Sequence, residues 1–261
     1  MQLILQKCDL ADISWLDEFI NFKELQVLPE IDSQLLVKNE PVLFYDGHAL
    51  SLNSSVDASR LPSYVDFNHP RVQYRLATST RSEGLLKAVG LDKSSSQLSV
   101  LDATAGMGVD AYMLAASGCR VLMLEKSGVM AALLHNGLLR GRSSGEIKLN
   151  QELHNLSLKM VDSHEHLKLI KAGQEEAVDV ITLDPMFPSR KKSAKVKKAM
   201  AMMQELLPPN DDIENLLEKA CSCAGKRVVL KSPGKISKQS ELKPDFQVPG
   251  RACHFQVFLT G

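Results

Sequence analysis

The sequence predicts an α/β protein built on a doubly wound, mostly parallel sheet, and three observations predict it. From Gln97 onward, short apolar runs alternate with helix-length segments, the signature of βαβ units. The first of these runs opens directly into a glycine turn at Gly106 and Gly108. Three of the runs end in an acid: Asp102, Glu125 and Asp184.

The chain has 261 residues, enough for one large domain or for one domain with a small appendage. At 44% hydrophobic and 24% charged residues it falls outside the disordered and membrane classes. No apolar run approaches the roughly 18 residues of a membrane span, and Met1 to Trp15 lacks the pattern of a secretion signal, so a cytoplasmic location is expected. The five cysteines are odd in number and scattered, which suits reduced thiols; Cys221 and Cys223 have no second pair to complete a zinc site, and no metal is expected. Formal charge is zero but polarised, because Ser189 to Lys198 holds six basic residues and no acid, leaving 25 basic against 31 acidic elsewhere. Overall neutrality argues against indiscriminate nucleic-acid binding, whereas one basic patch suits a polyanion docked in one place.

Pro41 to Tyr45 and His48 to Leu52 flank Asp46-Gly47, a hairpin signal, and residues 1–63 are expected to form a small strand-containing lobe. Residues 64–261 then form the main domain. Ser82 to Gly90 reads as a short helix closed by Gly90. Strands are expected at 98–103, 120–124, 157–161, 178–183, 226–231 and 254–259, and helices near 109–117, 128–140 and 212–223. In the last of these, Ile213, Leu216, Leu217 and Ala220 recur at helical spacing.

The strand, glycine turn and helix start from Leu98 to Ala111 allow a nucleotide-like ligand close to the backbone. Gly106-x-Gly108-x-x-Ala111, with Glu125 nineteen residues beyond Gly106, also satisfies the dinucleotide fingerprint, so two cofactors remain possible at this point. Asp102 tilts the choice: a carboxylate there can meet the ammonium of a methionine moiety, a group that a dinucleotide lacks. Glu125 can accept both ribose hydroxyls of a bound adenosine. Lys126 either lines the same pocket or is solvated. Asp162 and Ser163, after the third strand, are placed to reach an adenine edge.

The segment Val178 to Pro188 is a buried strand ending in Asp184-Pro185-Met186-Phe187-Pro188. An exocyclic amine on a base is a poor nucleophile, and it benefits from an acceptor for its N–H, a nearby carbonyl and a ring that holds the base. Asp184, the Pro185 carbonyl and the Phe187 ring supply these in turn, and are the catalytic candidates. Arg190, Lys191, Lys192, Lys195, Lys197 and Lys198 follow at once, where phosphates of a bound RNA would lie. Lys231 either points into the site or ends its strand. His135 and His154 lack a partner at nucleophilic or metal spacing.

Asp102 to Gly108, Leu124-Glu125-Lys126, Asp184 to Pro188 with the lysine-rich block, and Val228 to Lys231 together resemble the ribosomal RNA small subunit methyltransferase J family over roughly Val65 to the C-terminus. The resemblance implies a class I, Rossmann-like methyltransferase fold with a seven-stranded sheet. It implies S-adenosylmethionine as cofactor, and methylation of the exocyclic amine (N2) of a guanosine in 16S ribosomal RNA, either naked or in the assembled small subunit. It places cofactor contacts on Val109, Asp110, Glu125, Lys126, Asp162, Ser163 and Asp184. Val109 and Asp162 stand where the family pattern has Arg and Ser, Ser232 where it has Arg, and no arginine follows His254. Two other readings stay open: an NAD(P)-dependent oxidoreductase using the same glycine turn, and a catalytically silent RNA-binding module with the same fold.

Overall fold

The computed structural model describes residues 2–5, 11–21, 26–28, 41–54, 63–78, 83–94, 96–185, 212–233, 242–250 and 253–261. Near the N-terminus, β1 (Gln2–Leu5), β2 (Gln26–Leu28), β3 (Pro41–Tyr45) and β4 (Leu50–Ser54) form a sheet in the order β2-β1-β3-β4. β1 runs parallel to both neighbours, and β3 and β4 form the expected hairpin. Its turn is longer than the two residues predicted, since Tyr45 pairs with Leu50 rather than with His48. The Asp46 carboxylate is the reason: it accepts the His48 and Ala49 N–H groups at 2.9 and 2.7 Å, which withdraws both from the ladder. A 3-10 stretch, Ala11–Glu18, lays Ile13 and Leu16 into the core.

Two helices lead into the main sheet. α1 spans Pro70–Thr78, and α2 spans Gly84–Val89, ending where Gly90 turns left-handed and its N–H bonds the Lys87 carbonyl. The order then runs β5 (Ser99–Asp102), α3 (Val109–Ala116), β6 (Arg120–Glu125), α4 (Gly128–Arg142), α5 (Ile147–His154), β7 (Leu156–Met160), α6 (Ser163–Lys171), β8 (Val180–Leu183), α7 (Ile213–Cys221), β9 (Arg227–Pro233), β10 (Phe246–Pro249) and β11 (Cys253–Leu259). The sheet order is β10-β11-β9-β8-β5-β6-β7, parallel except that β11 is antiparallel to both β9 and β10. All six expected strands are present with ends within two residues of their expected positions. β10, α1, α5 and α6 were not read from the sequence.

Side chains alternate across this sheet with period two, so each strand feeds two cores. Val100, Val121, Met123, Val180, Val229 and Val257 pack on the face carrying α2 to α5. Leu101, Leu124, Ile181, Leu183, Val228 and Leu230 pack on the opposite face with α6 and α7. The first core continues without a break into the small sheet, joining Leu3, Leu16, Leu43, Leu50 and Leu52 to Val65, Met130 and Leu134. At the start of α4 the approach is so close that a Cβ on Gly128 would lie 2.1 Å from the Phe19 carbonyl oxygen.

Candidate functional site

In an open parallel sheet, ligands bind beyond the carboxyl ends of the strands at the place where strand order reverses. Here the order reverses between β5 and β8, and a cavity of about 330 Å³ opens there. Asp102 is the last residue of β5. It is buried, its Oδ1 accepts the Thr104 N–H at 3.2 Å, and burial pushes its pKa up to about 7, with the nearby Asp110 and Asp184 adding to the rise. Glu125 ends β6. Burial raises its pKa as well, against the Ser127 N–H at 2.8 Å and a second backbone N–H from Gly106.

Between these acids the chain turns through Gly106 (φ 54°) and Gly108 (φ 71°). A Cβ on Gly108 would lie 2.8 Å from Leu134 Cδ2, so conformation and space both require glycine there. Gly108 sits behind the turn, off the cavity wall. Gly106, Val109 at the start of α3, Lys126, Asp162 and Ser163 all line the cavity. Asp162 is also engaged structurally: it caps α6 by accepting the His164 N–H at 2.8 Å. Ser163 Oγ donates to the Ala103 carbonyl, tying α6 to the end of β5.

Asp184 follows β8. Its backbone N–H donates to Thr104 Oγ1 at 2.6 Å, and its Oδ2 accepts from Lys231 Nζ at 2.6 Å. Lys231 reaches Asp110 Oδ2 at 2.6 Å too, and Asp110 Oδ1 accepts from Arg75 at 2.8 Å. Burial raises the Asp184 pKa and Lys231 opposes the rise; for Asp110 the two cations overcome burial and hold the carboxyl below its ordinary value. Pro185 lines the cavity beside Asp184. Phe187 and the run Arg190, Lys191, Lys192, Lys195, Lys197 and Lys198 lie outside the described residues. Asp110, expected against the cofactor, also lines the cavity, and its carboxylate takes part in an ion-pair chain there.

Arg75 and Thr104 are not marked by the sequence reading, and Lys231, left open there between pointing into the site and ending its strand, points into the cavity. Thr104 lies within the glycine motif and its hydroxyl was a usable signal; Arg75 is 35 residues from its partner Asp110, and nothing local marks it. Among the described residues the cavity wall carries five carboxylates (Asp102, Asp110, Glu125, Asp162, Asp184) against three cations (Arg75, Lys126, Lys231), with Met107, Leu124, Met130 and Leu216 supplying an apolar stretch. Among the described residues no cluster of His, Cys, Asp and Glu is arranged to hold a metal ion, and no helix is long and apolar enough to cross a membrane.

The family model described as "Putative SAM-dependent methyltransferase" matches residues 24–260. A protein named ribosomal RNA small subunit methyltransferase J from Thioalkalivibrio sulfidiphilus is 41% identical over 221 residues, 84% of this chain and 85% of that protein. One of the same name from Pseudoalteromonas atlantica is 43% identical over 203 residues, 75% of this chain and 76% of that protein. Among solved structures, a SAM-dependent methyltransferase from Neisseria gonorrhoeae shares the fold with a TM-score of 0.73 at 24% identity, covering 100% of this chain and 96% of that one. The family match begins well before Val65, where the sequence reading had placed its start, and takes in part of the small sheet.

Proposed function

This chain belongs to the ribosomal RNA small subunit methyltransferase J family of S-adenosylmethionine-dependent methyltransferases, and on that premise we propose that it methylates the exocyclic amine (N2) of a guanosine in 16S ribosomal RNA. The oxidoreductase and silent-module readings have no support among its relatives. One observation carries the proposal: Asp184 lies in the cavity wall and its side chain is 46% exposed, so an occupant of the cavity and an amine arriving from outside can meet at it. The cavity suits the cofactor, with buried acids at Asp102 and Glu125 on either side of the glycine turn and apolar side chains between them.

When bound, S-adenosylmethionine supplies a methyl group already activated on a sulfonium. In this reading Asp102 takes the ammonium and Glu125 the ribose hydroxyls. Asp184 accepts an N–H of the target amine, the Pro185 carbonyl offers a second acceptor, and Phe187 stacks on the base. Holding the nitrogen in line contributes roughly 7–11 kcal/mol, the range for well-oriented intramolecular reactions, so no strong base is required. The basic run from Arg190 to Lys198 holds RNA phosphates in the same reading.

The test is single-turnover transfer of labelled methyl to small-subunit RNA, naked and assembled, followed by nucleoside analysis. The expected product is N2-methylguanosine. Asp184→Asn keeps the shape but offers a poorer acceptor, and should slow transfer about 10²-fold at saturating RNA and cofactor. Label on another atom, or an undiminished rate in Asp184→Asn, would overturn the reading.

A further inference from the structure

Lys231 stands where β9 passes Asp184. Leu183 and Leu230 pair across the parallel β8–β9 ladder, so Asp184 and Lys231 are the next residues along each strand and leave it side by side. The lysine Nζ lies 2.6 Å from Asp184 Oδ2 and 2.6 Å from Asp110 Oδ2. Beyond Asp110 the chain of charges continues through Arg75 at 2.8 Å to Glu83 at 3.2 Å. Asp184 is therefore fixed twice, by its N–H on the turn after β5 and by one carboxylate oxygen on β9. A partly exposed ion pair contributes little stability. What it does contribute is direction, because a carboxylate with one oxygen anchored presents the other along a fixed line.

We propose that Lys231 is a positioning residue for methyl transfer: bridged between Asp110 and Asp184, its ammonium holds one Asp184 oxygen so that the other meets the incoming amine. The proposal rests on Asp184 being the acceptor of that amine. Two carboxylates keep Lys231 protonated, above the ordinary lysine range, so it does not take the amine's proton. Asp110 lies in the first turn of α3, just after the glycine turn, so the same ammonium ties the cofactor side of the cavity to the target side.

The experiment compares Lys231→Met, Lys231→Gln and Lys231→Arg with the parental enzyme in two measurements. The first is carbon-13 NMR titration of the Asp184 carboxylate, assigned by its loss in Asp184→Asn; this requires no substrate. Among the described residues, Lys231, Asp110, Arg75 and Asp102 are charged groups acting on Asp184. Removing the cation should move its midpoint upward by roughly one to three pH units, and Lys231→Arg should restore most of the change. The second is single-turnover transfer at saturating RNA and cofactor. It should fall about 10²-fold in Lys231→Met and Lys231→Gln, and recover in Lys231→Arg. Should Lys231→Met fold poorly, Lys231→Gln carries the comparison. An unmoved Asp184 midpoint, or parental transfer rates in both neutral variants, overturns the proposal while leaving the parental methylation of guanosine intact. A raised midpoint in an enzyme whose parental form leaves no methyl on guanosine N2 keeps the Lys231–Asp184 link and removes the substrate reading instead.

Discussion

Asp102 carries an unfavourable charge until something positive reaches it. With its pKa near 7 instead of the ordinary 3.8, the folded protein holds a proton there that the unfolded chain has already released. The contribution of Asp102 to the stability of the free protein should therefore fall as pH rises from about 4 and level off above 7, an effect read as the difference between the parental protein and Asp102→Asn. An ammonium docked on Asp102 reverses the preference, since only the ionised carboxylate attracts it. Cofactor affinity should climb by up to about tenfold per pH unit below 7, and calorimetry should find that dependence absent in Asp102→Asn. Glu125→Ala, which removes a charged partner for the ribose, should weaken binding by roughly 1.5–3 kcal/mol; unchanged affinity would count against the ribose contact. Asp102, Glu125 and Asp184 were readable from sequence because each ends a strand or directly follows one, and that position in a parallel sheet lies at the ligand edge whatever the rest of the chain does. Arg75 was not, and for Lys231 the sequence left the aim open, because the aspartates they pair with stand 35, 47 and 121 residues away and only the fold brings them together.

The same contrast holds for helices and strands. α3, α4 and α7 were legible because apolar residues repeat along them at helical spacing, whereas α5 buries only Leu149 and Leu153, and β10, at the sheet's edge, buries only Val248. α6 did carry a signal, Asp162 followed three residues later by Glu165, and its cap is formed by Asp162 as such a pattern suggests. The hairpin went wrong in register through a single side chain, Asp46, and no apolar pattern encodes that. For the basic segment the expectation remains the sequence's own. Replacing Lys191, Lys192 and Lys195 by Gln should flatten the salt dependence of RNA binding by about 0.7–0.9 per lost contact while cofactor affinity stays unchanged. An unaltered slope would make the run a solvated face.

Across the molecule the two sheets share one apolar core, and the family match at 24–260 crosses the boundary proposed at 63/64. Leu50 and Leu52 of β4 are fully buried in that core, and the Leu50 N–H donates to Asn136 Oδ1 of α4 at 2.9 Å. We propose on this ground that residues 1–63 form a lobe in outline only and melt with the rest. Calorimetry of the full chain should give one transition, raised by S-adenosylmethionine, and a fragment of residues 64–261 should be markedly less stable. Two separated transitions would restore an independent lobe.

The imbalance of charge on the cavity wall has a further consequence. Among the described residues, five carboxylates facing three cations favour a positively charged occupant over a neutral one of the same shape. The spent cofactor differs from the fresh one by a methyl group and by the positive charge that left the sulfur with it. The described part of the wall is thus expected to hold the donor more firmly than the by-product, which draws the exchange between turnovers toward fresh cofactor.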